Sequence, residues 1–128
     1  IHINCDDHSI TYPIISAYSH FYIQLNIMHF DAHPDLYHSF ENNPFSQSSP
    51  FAILMENNLV KNLTQVGFLT MNTHQKDLAE KYNVQVIHMA QFDSAMQFDF
   101  YGPVYISIDL NALYLAFAPG VSNHEPRG

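Results

Sequence analysis

Ile23-Gln24-Leu25-Asn26-Ile27-Met28-His29-Phe30 runs directly into Asp31-Ala32-His33-Pro34-Asp35. In the first eight residues Ile23, Leu25 and Ile27 alternate with Gln24, Asn26 and Met28 before aromatic Phe30, which is the period of a β-strand over 23–30. The acids and the imidazole follow where that strand ends. In an extended segment residues i, i+2 and i+4 point the same way, so Asp31, His33 and Asp35 are expected to converge until Pro34 turns the chain. Carboxylate oxygen together with imidazole nitrogen suits manganese, iron or zinc better than calcium, and manganese is favoured where carboxylates predominate. Taken alone, the run is equally a polar turn after a strand, with an Asp capping the next helix.

Working outward, further strands are expected at 63–69, 84–89 and 104–110. Helices are expected at 10–17, 50–60 and 72–82, the last with Leu78, Ala79 and Tyr82 on one face. Strands alternating with helices imply an α/β fold of βαβ units, a mainly parallel sheet with helices packed on its faces. Ligands of such sheets gather beyond the carboxyl ends of the strands. Asp31 and Asp35 follow one strand there, and Asp109 lies near the end of another. Residues 39–49, with Asn42, Asn43 and Pro44, read as an ordered loop or lid.

A chain of 128 residues with 47% apolar and 12% charged residues supports one domain, 1–128, with a real core. It is too apolar for disorder and too interrupted for a membrane span. The formal net charge of −8 argues against nucleic acid and favours cationic ligands or substrates. The single cysteine, Cys5, fits a reducing compartment, hence the cytoplasm. His2, His20, His74 and His88 read as ordinary surface or boundary residues. His29 shares parity with Asp31, and either orients it or is a strand histidine without a role.

Other segments put ligand types at element boundaries: Asp7-His8-Ser9 before a helix, and Ser107-Ile108-Asp109-Leu110-Asn111 at a strand end. With the 29–35 run, and with Gln65-Val66-Gly67 and Ala116-Phe117-Ala118-Pro119-Gly120, they resemble the ureohydrolase family of arginase, agmatinase and formiminoglutamase. The wording of 31–37 looks most like agmatinase-type members or plant-type arginases. The resemblance implies a three-layer αβα fold with two manganese ions at the strand ends, of which this chain is the middle part, incomplete at both ends. Bare sheet edges would then favour association.

By position, the resemblance assigns His8, Asp31, Asp35 and Asp109 to one ion, and Asp31, His33, Asp109 and Asn111 to the other. Asp31 and Asp109 bridge. An activated water would attack the carbon of a small cationic guanidino substrate, agmatine or arginine, and release urea. Glu125 corresponds to the carboxylate that grips the guanidinium. The family's members are usually homo-oligomers.

Two departures weaken the expected activity. Asn111 stands where the pattern has a carboxylate, so one ion is more secure than two. Gln47 replaces a histidine that moves protons, a loss worth about 10² to 10⁴ in rate. The expected function is therefore weakened, metal-dependent guanidino hydrolysis. An inactive relative or fragment that keeps one metal and serves in binding or assembly is the second expectation.

Overall fold

The computed structural model describes residues 2–3, 8–37 and 49–113. Five strands, β1 (His2–Ile3), β2 (Asn26–Phe30), β3 (Asn62–Phe68), β4 (Gln85–His88) and β5 (Val104–Ile108), form one sheet in the order β1-β5-β2-β3-β4. Every pairing is parallel. The α/β reading of the sequence is thus the observed architecture. Helices α1 (Thr11–Ser19), α2 (Pro50–Glu56) and α3 (Thr73–Lys81) share one hydrophobic core with Leu25, Ile27, Leu63 and Tyr105. On the opposite face Met28, Val66 and Ile87 are packed by Phe98 and Phe100. Among the described residues the helices lie on one face only, and none is long and apolar enough to cross a membrane.

Register explains what the core supports. Ile27 pairs with Leu63 on one side and Tyr105 on the other, an apolar row under the helices. One step toward the carboxyl ends, His29 pairs with Gln65 and Ser107, so the row on that face turns polar while staying fully buried. Asp31 and Asp109 come next. The backbone ladder carries on into them, with Asp31 N–H donating to the Val66 carbonyl at 3.1 Å and Asp109 N–H to that of Phe30 at 2.9 Å.

Several boundaries differ from expectation. β2 begins at Asn26, because Gln24 takes a left-handed φ of 67° and Ile23 is 86% exposed in a turn. Asn26 to His29 are buried without alternation, since both sheet faces are covered there. α2 stops at Glu56 rather than at 60, where Asn58 adopts a φ of 53°. α3 is held by a reciprocal cap: Asn72 Oδ1 accepts from Gln75 N–H, and Gln75 Oε1 accepts from Asn72 N–H. Such a cap contributes about 1 kcal/mol. The expected loop at 39–49 falls almost wholly outside the described residues.

Candidate metal centre

Asp31 and Asp109 stand side by side because β2 and β5 are neighbours whose last residues, Phe30 and Ile108, are in register. His8 reaches them from a short 3-10 turn, His8–Ile10, leading into α1. Its Nε2 lies 3.3 Å from Asp31 Oδ2, 3.4 Å from Asp109 Oδ2 and 3.9 Å from Asp35 Oδ2. The other ring nitrogen, Nδ1, is 3.1 Å from Thr11 Oγ1, so Nε2 is the atom turned to the acids. The sequence-derived set His8, Asp31, Asp35 and Asp109 is therefore brought together.

The convergence does not come from an extended 31–35 segment, as the parity argument expected. Asp35 sits at a left-handed φ of 43° after Pro34, a conformation Asp tolerates better than most residues, and this turn swings its carboxylate back toward His8. Gly67 makes room. Its φ is +104°, and a Cβ there would lie 3.1 Å from the Asp31 carbonyl oxygen, where β3 also shifts register against β4.

Packing acids and imidazoles out of water sets their proton affinities against one another. Burial alone would lower the His8 imidazole, but hydrogen bonding to Asp109 and Asp31 and the charge of Asp35 raise it to about 10. Burial, with the charge of Asp31, pushes Asp35 up to about 8. Asp31 is also penalised by burial, yet three imidazoles, those of His29, His33 and His8, hold it well below the usual carboxylate range. Burial drives the proton affinity of His29 down, favouring the neutral ring.

His29 is the residue that sequence reasoning left undecided. It is fully buried, with Nε2 at 3.2 Å from Asp31 Oδ2 and 3.4 Å from His8 Nε2, and its ring lies against Phe51 with centroids 4.2 Å apart. By distance alone, His8, His29 and Asp31 could hold an ion, since their ligand atoms all lie within 4.8 Å of one another. Gln65 and Thr11 support the cluster and were not singled out from sequence for any role there. Their signal is only the register that places Gln65 beside His29, and the spacing that places Thr11 one turn after His8.

A cation fits the His8 side. Asp31 Oδ2 is buried without an aligned hydrogen bond, and carboxylates of Asp35 and Asp109 face the same nitrogen. The His33 side is different. Asn111 Oδ1 accepts from Ala32 N–H at 3.3 Å, which turns its amide nitrogen toward His33 Nδ1 at 3.2 Å. That nitrogen is a donor and takes up the His33 ring nitrogen that faces Asp31, 3.6 Å from its Oδ1. Asp31 Oδ1 is also engaged, accepting from His33 N–H at 2.8 Å. The residues present do not fit a second metal here. Gln47 and Glu125 lie outside the described residues.

A buried cluster of acids and imidazoles at the carboxyl edge of a parallel sheet defines an α/β protein of the metal-site type. Comparison with known proteins narrows this. The profile of the arginase family matches residues 7–128, and the chain belongs to that family. It is 39% identical to a mitochondrial arginase of Medicago truncatula over 95% of this chain, and spans 38% of that protein's length. An N(1)-aminopropylagmatine ureohydrolase of Thermus thermophilus is 32% identical over 95% of this chain and 43% of its own length. Among solved structures, the Medicago truncatula arginase superposes with a TM-score of 0.86 at 38% identity, covering 98% of this chain and 42% of that one. A T. brucei arginase-like triple mutant bound with Mn2+ gives 0.82 at 25% identity, with 98% of this chain and 42% of that one covered. The agmatinase leaning of the sequence reading thus gains no support over the plant-arginase one.

Proposed function

We propose that this chain hydrolyses a guanidino compound with manganese, arginine ahead of agmatine, using one securely held ion. The observation that carries the reading is the buried Asp31 Oδ2, facing His8 at 3.3 Å without an aligned hydrogen bond, with Asp35 and Asp109 around the same nitrogen. His8 Nε2, Asp31, Asp35 and Asp109 would hold the ion, and such an ion supplies the Lewis acidity that makes water a nucleophile near neutral pH. Asp31 and Asp109 keep their orientation through the backbone ladder and through Asn111 N–H, which donates to Asp109 Oδ1 at 2.9 Å. Glu125 is the proposed partner of the cationic guanidinium, consistent with the net charge of −8. The identities to plant arginases favour arginine.

A second reading, an inactive relative that binds one metal, is favoured by the Asn111 amide nitrogen turned toward His33. Metal counting and a urea-release assay on arginine and agmatine separate the two, applied to the protein and to Asn111→Asp combined with Gln47→His. Measurable turnover in the starting protein overturns the inactive reading. An inert double variant that has nonetheless gained a second ion overturns the hydrolase reading for this chain.

A further inference from the structure

The cluster contains two histidines with Nε2 atoms near the same carboxylate, and their second nitrogens have different partners. His29 Nδ1 lies 3.2 Å from Gln65 Nε2. The same amide nitrogen donates to the Pro34 carbonyl at 2.6 Å. That short contact settles which way the amide faces, because the flipped amide would set two oxygens against each other. An amide nitrogen only donates, so His29 Nδ1 can only accept. A neutral ring then carries its proton on Nε2.

We infer that Gln65, locked by the Pro34 carbonyl, fixes His29 in the Nε2-protonated form, so that His29 presents an N–H to the cluster and positions Asp31 instead of binding metal. The inference rests on the metal-site reading only for its consequence, not for its geometry. Phe51 packs against the ring at 4.2 Å and Phe68 lies 6.4 Å away, which opposes a ring flip that would put carbon where the two nitrogens stand. Of the atoms grouped by distance, His8 Nε2, 3.4 Å from His29 Nε2, is the imidazole nitrogen that offers a lone pair to a cation once it gives up its proton, and His29 is a positioning residue.

The test is direct. In metal-free protein with histidine labelled by the heavy nitrogen isotope, long-range proton–nitrogen correlation is expected to find His29 bare at Nδ1 and protonated at Nε2. Protonation at Nδ1 in the wild type overturns the inference. Gln65→Leu removes the donor without setting an oxygen against the Pro34 carbonyl, and is expected to let a tautomer protonated at His29 Nδ1 appear. A spectrum unchanged in that variant also overturns it. Gln65→Met removes the donor, and manganese affinity is expected to fall by about 10- to 100-fold. Unchanged affinity in folded Gln65→Met protein overturns the role in positioning. If wild-type protein binds no manganese, the metal reading fails, and the His29 spectrum alone decides the inference.

Discussion

Asp31 has two sides, and they are not alike. On the Oδ2 side three carboxylates and the His8 imidazole crowd together, and Oδ2 itself has no aligned hydrogen bond. On the Oδ1 side the hydrogen bonds close on themselves, through His33 N–H, the Asn111 amide and Ala32 N–H. The strands, the register and the burial are shared. One amide in place of a carboxylate turns an acceptor into a donor, and a space suited to a cation becomes a finished hydrogen-bond network.

The largest expected effect comes from removing the shared carboxylate. Asp31→Asn is expected to weaken manganese binding by more than about 100-fold, since losing even a supporting partner costs 10- to 100-fold. Calorimetric titration checks this, and binding retained within tenfold would place the ion elsewhere.

Acid acts on the same side. His8 at about 10 and Asp35 at about 8 both lie above neutrality in the metal-free chain, so each holds a proton that a cation must displace. Affinity should therefore rise with pH, by about tenfold per pH unit for each proton displaced. The dependence is steepest below about 8, where both groups are protonated, and shallower from there to about 10. A flat profile would remove these two residues from the ion's shell.

Asn111→Asp attacks the contrast itself. Restoring an acceptor beside His33 is expected to raise bound manganese from one ion to two, with at least about a tenfold gain in affinity for the second. Elemental analysis of dialysed protein reads it, and a count that stays at one would show that more than the amide separates the two sides. The smallest effect is expected from Gly67→Ala. A methyl 3.1 Å from the Asp31 carbonyl, at a φ of +104°, should cost about 1 to 3 kcal/mol in unfolding free energy and weaken ion binding as the carboxylate shifts.

Much of this was legible without coordinates. The alternation before Asp31, the apolar runs at 63–69 and 104–110 and the spacing around Leu78 are local signals, because side-chain direction in strands and helices follows from backbone period alone. The resemblance to the ureohydrolase pattern gave the ligand candidates His8, Asp31, Asp35 and Asp109. Against that pattern Asn111 already stood out as a different residue type. What alternation could not reveal was that β2 is covered on both faces, since that depends on which strands flank it.

The sequence by itself determined the parallel α/β class and the chemical inventory at the strand ends, since both are written in periodicity and residue type. Only the tertiary structure decided how that inventory is oriented. The close approach at Gly67, the direction of the Asn111 amide and the proton on His29 each depend on a partner from a distant part of the chain. Hydrogen bonds are directional, and a donor can be told from an acceptor only once its neighbour is in place.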